Sequence, residues 1–301
     1  MNPETPLTIG ETLRLATGWL AGKGIPSARL DAELLAAEVC GIRRLDLFLS
    51  PERPLTPGER AHLRELLRRR ARGEPVAYLL GRKEFYGLEI RVTPAVLIPR
   101  PETESLVDAV LDRVGSGAGP HPRIVDVGTG SGAIACALAS RIPEAEILGV
   151  DLSEAALEIA RENGRRLGFG DRVRWARSDL LEAVPPDPPW DVVVSNPPYV
   201  AETERESLDP GIRDFEPPEA LFSGPEGVDH LRRLLPQALQ RLRPGGSLVV
   251  ETGSTVQRQR ARALVSASFP AESVVEVRDP SGHPVGLAAR TSMQEEVVHG
   301  R

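Results

Sequence analysis

The chain contains 301 residues, of which 41% are hydrophobic, and its 37 basic and 43 acidic side chains give a formal net charge of -6 at pH 7. That length accommodates one large domain or a large and a small one, and the acidic balance excludes a general electrostatic attraction to nucleic acid. No apolar run approaches the ~20 residues that span a bilayer, so we expect a cytoplasmic protein without a membrane partner. Cys40 and Cys136 have no Cys or His spaced to share a metal ion with them, which predicts no metal site.

The first part of the chain carries helix signals and no strand pattern. Thr8 with Glu11, and Thr56 with Glu59, have the spacing of a capping box, in which a threonine and a glutamate three residues later bind each other's backbone amides. Ser27 opens a third apolar run with helical periodicity. We therefore predict a small helical bundle over residues 1–80.

The hydrophobic pattern then changes to that of strands. Between Phe85 and Arg100 the apolar residues are closely spaced, with a break at Thr93 and Pro94. This pattern predicts a hairpin or two short strands, the second over residues 96–98. Residues 81–104 would thus link the bundle to the rest of the chain.

Short apolar runs alternate with helical patterns from there to the C-terminus. Such runs are typical of parallel strands that are covered on both faces. The predicted strands are residues 124–127, 147–150, 173–175, 192–195, 248–251, 274–277 and 285–289. We predict an α/β fold for residues 105–301, with a seven-stranded, mostly parallel, Rossmann-like sheet that binds ligands at the carboxyl ends of its strands.

A glycine-rich turn follows the first of these strands. Its residues are Gly128, Thr129, Gly130, Ser131 and Gly132. Glycine permits a tight turn and lets a ligand approach the backbone without meeting a Cβ atom. Asp151 ends the second strand, where a carboxylate can accept hydrogen bonds from ribose hydroxyls. These features alone fit a nicotinamide cofactor as well as S-adenosylmethionine.

Two further acidic residues favour S-adenosylmethionine. Asp126, directly before the glycines, would repel a pyrophosphate but attract a cationic amino group and a sulfonium. Asp179, after the third strand, is placed to accept a hydrogen bond from an adenine amino group while Leu180 covers the ring. The alternative for Asp179 is a helix N-cap without any ligand.

The fourth strand leads into the sequence Asn196, Pro197, Pro198, Tyr199. The prolines fix φ and lack N–H donors, so the backbone there presents carbonyl acceptors. A planar NH2 group can donate to the Asn196 side-chain oxygen and the Pro197 carbonyl while Tyr199 stacks on it. This set suits methyl transfer to a weakly nucleophilic nitrogen without a dedicated base, with Asn196, Pro197 and Tyr199 catalytic, Pro198 a substrate contact and Asn196 also beside the cofactor. The alternative is a simple strand-ending proline turn.

Four segments together resemble the HemK/PrmC family of release factor glutamine methyltransferases: residues 87–90 (GLEI), 96–104 (VLIPRPETE), 126–134 (DVGTGSGAI) and 195–199 (SNPPY). The resemblance implies a class I methyltransferase fold, S-adenosylmethionine as cofactor, and the glutamine of the Gly-Gly-Gln motif in bacterial class I release factors as substrate. Because a glutamine side chain offers only a few atoms for contact, we expect the N-terminal bundle to recognise the protein substrate. The acidic balance predicts no direct nucleic-acid binding.

The sequence departs from this family at a few positions. Leu180 stands where some members carry an aromatic residue, and the segment from Glu251 to Gln257 is one residue longer than the family pattern. Residues 215–221 match a family segment that we expect near the substrate entrance. Two other substrates stay open, namely a glutamine of a ribosomal protein and the exocyclic amino group of a flipped nucleic-acid base.

Overall fold

A computed structural model describes residues 7–117 and 119–293. These residues divide into two compact units, one containing residues 7–82 and 209–215 and the other containing residues 83–208 and 216–293. The domain ranges predicted above also include residues 1–6, 118 and 294–301, which lie outside the described residues. Within the described part of the chain, none of the helices combines the length and the apolar character that a bilayer crossing requires.

The first unit is helical, as predicted. Its helices are α1 (Ile9–Gly22), α2 (Ala28–Cys40), α3 (Asp46–Leu49), α4 (Pro57–Arg70), α5 (Val76–Leu80) and α9 (Pro210–Arg213), numbered by their place in the whole chain. Both capping boxes are confirmed, because the Thr8 and Thr56 hydroxyls accept from the amides of Glu11 and Glu59 at 3.3 and 3.2 Å. The helix predicted after Ser27 is also confirmed, since α2 begins at Ala28; the Ser27 hydroxyl donates to Asp31 at 2.8 Å and caps no backbone amide.

The short α9 comes from a distant part of the sequence. Gly211 lies so close to Gly73 that a Cβ atom on it would be 3.0 Å from the Gly73 carbonyl oxygen. The ring of Phe215 also packs near Gly73, at 3.5 Å from the position of a Cβ atom there. The helical unit is therefore built from two separate stretches of chain, which the sequence pattern did not predict.

The predicted hairpin is present but lies earlier than expected. Its strands are β1 (Arg82–Phe85) and β2 (Leu88–Arg91), joined by a turn in which Tyr86 and Gly87 have φ values of 54° and 76°. Positive φ at both turn residues matches the right-handed twist of the strands. The second strand predicted over residues 96–98 is wrong. The Ile98 amide donates instead to the Glu216 side chain at 3.2 Å.

The second unit contains one seven-stranded sheet, and all seven predicted strands are confirmed. They are β3 (Arg123–Val127), β4 (Glu146–Asp151), β5 (Val173–Arg177), β6 (Trp190–Ser195), β7 (Leu242–Glu251), β8 (Val275–Arg278) and β9 (Pro284–Arg290). The strand order is β5-β4-β3-β6-β7-β9-β8, and β9 runs antiparallel to both of its neighbours, β7 and β8. Helices α6 (Glu104–Gly115), α7 (Ala133–Arg141), α8 (Glu154–Arg166), α10 (Asp229–Arg241) and α11 (Thr255–Ser268) complete the unit.

The register of the sheet places four strand ends side by side. Val127 at the end of β3 pairs with Val150 on one side and Ser195 on the other, and Ser195 pairs with Val250. The segments that follow β3, β4, β6 and β7 consequently leave the same edge of the sheet.

Trp175 on β5 fills a niche formed by glycines. Cβ atoms placed on Gly132 and Gly149 would lie 2.7 and 2.5 Å from the indole ring, and one on Gly164 would lie 3.2 Å away. The third glycine of the glycine-rich turn thus makes room for Trp175, a packing role.

We expect Gly149→Ala to lower the free energy of unfolding by about 1–3 kcal/mol, because the methyl group overlaps the indole. Urea denaturation measures this change. Trp175→Leu is the matched partner: with the ring removed, adding Gly149→Ala should cost markedly less, because only the contact of 3.0 Å to the Thr129 hydroxyl remains. Equal destabilisation by Gly149→Ala in both backgrounds would contradict the niche.

Candidate active site

A cavity of about 500 Å³ opens at the edge of the sheet where β3, β4 and β6 end. Its volume lies within the range of small-molecule sites. The residues predicted from sequence that line it are Gly128, Thr129, Gly130, Ser131, Asp151, Asp179, Leu180, Asn196, Pro197 and Pro198. Asp126, Gly132 and Tyr199 were also predicted as site residues but do not line it. The structure thus gathers both predicted halves of the site around one cavity.

The glycine-rich turn presents an open backbone to this cavity. Gly128 and Gly130 have φ values of 70° and 54°, and a Cβ atom on either would meet nothing within 4 Å. The amides of Gly128 and Thr129 donate to the Val150 carbonyl at 2.9 Å each, which holds the turn against β4. A ligand can therefore approach the backbone closely at a rigidly held position.

Asp151 connects the turn to the end of β4. Its Oδ2 accepts from the Gly130 amide at 2.9 Å and its Oδ1 accepts from the Ser153 amide at 2.9 Å. Burial raises the pKa of this carboxyl group, and the two amide hydrogen bonds oppose that effect. Each carboxylate oxygen can accept a second hydrogen bond, so Asp151 retains capacity for ribose hydroxyls.

Asp126 lies behind the glycine-rich turn and is fully buried. Its Oδ2 accepts from the Thr129 hydroxyl at 2.6 Å and from the Ala135 amide at 3.3 Å. Burial raises its pKa to about 7. Its Oδ1 is buried and has no hydrogen-bond partner among the described residues. Asp126 therefore holds Thr129 in place and keeps one unsatisfied acceptor there, while its direct contact with a cofactor stays a prediction.

Asp179 and Leu180 lie at the cavity but not at a helix start. Residues 180–183 form turns, and the described residues between β5 and β6 contain no helix, so the N-cap alternative for Asp179 is wrong. Asp179 Oδ2 accepts from Arg233 at 2.6 Å. Leu180 has a φ of 52°, a conformation that a side chain other than glycine rarely adopts and that recurs at ligand sites.

Asn196 follows the last residue of β6 and faces the cavity. Ser195, one residue earlier, is anchored by a hydrogen bond of 2.7 Å from its hydroxyl to the Val127 carbonyl. The Asn196 Nδ2 donates to the Thr103 hydroxyl at 3.3 Å. None of the described residues donates to the Asn196 Oδ1, so this oxygen is an available acceptor beside Pro197 and Pro198.

Tyr199 is turned away from the cavity lining. Its ring packs on Gly253, where a Cβ atom would lie 2.7 Å from the Tyr199 Cδ2. Its hydroxyl donates to the Glu251 Oε1 at 3.2 Å. Burial is the main cause that raises the pKa of the Tyr199 hydroxyl, and the charge of the nearby Glu251 carboxyl group raises it further. Its stacking on a substrate group stays a prediction.

Several cavity residues were not predicted as site residues. Thr103 lies within the family-like 96–104 segment, but nothing in the spacing showed that it meets Asn196, 93 residues away. His230 also lines the cavity and pairs its Nδ1 with the Ser223 hydroxyl at 2.8 Å. Burial lowers its pKa, and Arg233 adds to that effect. No sequence pattern distinguishes this histidine.

The segment expected near the substrate entrance does reach the cavity, through Pro217, Glu219 and Ala220. It is fixed by Glu216, which is buried and forms an ion pair with Arg100. The segment from Glu251 to Gln257, which is one residue longer than the family pattern, does not line the cavity. Its buried Gln257 donates to Glu204.

Family models match both parts of the chain. The model of the PrmC N-terminal domain matches residues 11–81, and the model of the methyltransferase small domain matches residues 103–209.

Full-length relatives extend this similarity. The release factor glutamine methyltransferase of Rhodopirellula baltica is 40% identical over 282 residues, which cover 93% of this chain and 95% of the relative. That of Koribacter versatilis is 43% identical over 255 residues, covering 83% and 88%.

A solved structure shows the same fold at lower identity. The T. thermophilus 16S rRNA N2 G1207 methyltransferase, in complex with AdoMet and guanosine, matches with a TM-score of 0.52 and 21% identity. The match covers 70% of this chain and 49% of that protein. It supports a class I methyltransferase sheet.

Proposed function

The chain belongs to the family of release factor glutamine methyltransferases, and on that premise we propose that Asn196 and Pro197 bind the glutamine of a Gly-Gly-Gln motif in a class I peptide release factor. The enzyme is S-adenosylmethionine-dependent and methylates the side-chain amide nitrogen of that glutamine. The observation that carries the assignment of Asn196 is that its NH2 group is bound by Thr103 while its carbonyl oxygen is available at the cavity.

The residues around the glycine-rich turn fit the cofactor. Gly128 and Gly130 form a cradle that side chains would fill, Asp151 is an acceptor for two ribose hydroxyls, and Asp126 keeps an unsatisfied oxygen for the electrostatic attraction of a cation. When bound, S-adenosylmethionine supplies an electrophilic methyl group on a positively charged sulfur. Asp179 and Leu180 would bind the adenine.

The chemistry required of the protein is orientation of a weak nucleophile. The lone pair of an amide nitrogen is delocalised into its carbonyl group, so the nitrogen attacks poorly. Acceptors at the Asn196 Oδ1 and the Pro197 carbonyl would bind the two N–H groups and stabilise the positive charge that develops on nitrogen. The methylated amide cation is strongly acidic and releases its proton to water, so no side-chain base is needed.

A labelling experiment tests the substrate. Purified release factor, a release factor in which the Gly-Gly-Gln glutamine is alanine, ribosomal proteins and nucleic acid are each incubated with the enzyme and methyl-labelled S-adenosylmethionine. We expect label in the first protein only. Label appearing instead in a ribosomal protein or in nucleic acid would overturn the proposed substrate.

We also infer that the enzyme acts in the cytoplasm, where release factors work, without direct nucleic-acid binding.

We propose that the helical unit recognises the body of the release factor, because a single glutamine side chain offers too few atoms to distinguish one protein from another. The unit has a groove between α1 and α4, in which Leu15 and Trp19 are 43% and 41% exposed. Arg60, Arg64 and Arg68 line the same groove. A large aromatic residue beside arginines is typical of binding hot spots, and the arginines favour an acidic patch on the partner.

We expect Arg64→Glu to lower kcat/KM on intact release factor by about tenfold, since it places a negative charge opposite an acidic patch. Initial rates at low substrate concentration measure the change. A short Gly-Gly-Gln peptide should be a poor substrate for both enzymes and should not discriminate between them. Arg14→Glu, at an exposed position of α1 outside the groove, is the matched control. Equal losses in the two variants would assign the effect to net charge and contradict recognition by the groove.

A further inference from the structure

A chain of hydrogen bonds runs from Asn196 into the protein interior. The Asn196 Nδ2 donates to the Thr103 Oγ1 at 3.3 Å, and the Thr103 Oγ1 donates to the Glu251 Oε2 at 2.6 Å. Thr103 lies in a 3-10 turn before α6, and Glu251 is the last residue of β7. Both side chains are buried, so water does not compete for these hydrogen bonds.

The direction of each hydrogen bond follows from the chemistry of the groups. An ionised carboxylate is an acceptor only, so the Thr103 hydroxyl must give its single hydrogen to Glu251. The Thr103 oxygen can then offer only its lone pairs to Asn196. A lone pair attracts the NH2 end of the amide and repels the carbonyl end. The ionised state of Glu251 thus determines which end of the Asn196 amide faces the cavity.

We propose that Thr103 and Glu251 are positioning residues that fix the orientation of the Asn196 amide, with its carbonyl oxygen toward the substrate nitrogen. This inference rests on the proposed role of Asn196. The two ends of an amide have nearly the same size, so packing alone does not select one of them. An amide turned by a half rotation would place its NH2 group against the NH2 group of the substrate. Two donors would then face each other at the point where an acceptor is required.

The charge of Glu251 depends on the groups around it. Thr103 and Tyr199 donate to its carboxyl group, Arg100 contributes a positive charge and Glu102 a negative one. Burial outweighs the hydrogen bonds and raises its pKa to about 7. Above that pH the carboxylate is ionised and the chain of hydrogen bonds is oriented. Below it the carboxyl group carries a proton, the direction of the chain is no longer imposed, and turnover should fall.

The test combines substitutions with a pH profile. In Thr103→Val a methyl group replaces the hydroxyl at nearly constant volume, and we expect kcat on release factor to fall about tenfold with the Kd of S-adenosylmethionine unchanged. Thr103→Ser restores the hydroxyl and should bring kcat back to within about threefold of the wild type. The decrease in kcat as pH falls through about 7 should be smaller in Thr103→Val than in the wild type, because only the contribution of Asp126 remains. Asp126 is intact in both variants, so its own titration does not affect this comparison.

The matched control is Thr252→Val. Thr252 is a buried threonine next to Glu251, and its hydroxyl donates to the Val285 carbonyl at 3.4 Å, outside the chain of hydrogen bonds. We expect its kcat and pH profile to equal those of the wild type. A normal kcat in Thr103→Val, or an equal loss in Thr252→Val, would overturn the positioning role. Asn196→Ala is measured in parallel: if it too keeps normal turnover, the proposed role of Asn196 has failed, and if it alone loses turnover, only the present inference has failed.

Discussion

Replacement of Asn196 by alanine is expected to lower the turnover of release factor methylation by about a hundredfold or more, the scale found for removing one preorganised transition-state partner. The carbonyl oxygen of Asn196 is the side-chain acceptor available beside the proline carbonyls, and the protein already commits its NH2 group to Thr103. Alanine removes the acceptor without altering the glycine-rich turn. Steady-state kinetics with purified release factor measures kcat.

Cofactor binding separates this effect from general damage to the site. Titration calorimetry of Asn196→Ala with S-adenosylmethionine should give a Kd within about threefold of the wild type, since a loss of transition-state stabilisation leaves ground-state binding intact. A variant with near-normal turnover on release factor would rule out the amide clamp. A variant that no longer binds cofactor would show that Asn196 belongs mainly to the cofactor site.

Asp151→Ala is expected to weaken the binding of S-adenosylmethionine by about 1–3 kcal/mol, because ribose hydroxyls lose a charged and largely buried acceptor. Asp151 also accepts from the amides of Gly130 and Ser153, so its removal leaves these donors without a partner and loosens the turn. Calorimetry measures the change in Kd.

Asp151→Asn is the matched variant for this prediction. An asparagine keeps one acceptor oxygen but no charge, so we expect an affinity between those of the wild type and Asp151→Ala. Unchanged affinity in both variants would remove Asp151 from the cofactor site. Tight binding of a nicotinamide cofactor by the wild type would contradict the assignment of the cofactor itself.

Local patterns in the sequence predicted most of the fold. The capping boxes at Thr8 and Thr56 and the seven apolar runs are signals contained in a few consecutive residues, and each appears in the structure. The second strand of the hairpin was predicted too late in the chain, because the apolar residues at 96–98 resemble a strand. In the structure the Ile98 amide donates to the Glu216 side chain. Hydrophobicity shows burial, but it does not show which acceptor a buried amide will find.

The candidate site was predictable only where one segment carries it. The glycine-rich turn and the sequence from Asn196 to Tyr199 are contiguous, and their placement at neighbouring strand ends follows from the parallel sheet. Thr103 and Glu251 are separated by 148 residues, and their hydrogen bond follows from tertiary packing alone. The packing of the Tyr199 ring on the distant Gly253 could not be predicted for the same reason.

The helical unit is formed by two stretches that lie far apart in the sequence, and this constrains how the chain folds during synthesis. Because residues 209–215 belong to that unit, the unit is still incomplete when its N-terminal helices first leave the ribosome. By the time residue 215 has been made, strands β3 to β6 of the other unit have already been synthesised. The helical unit can therefore be completed only when most of the other unit's sheet has been synthesised, and a gene fragment that encodes only residues 1–82 would specify an incomplete helical unit.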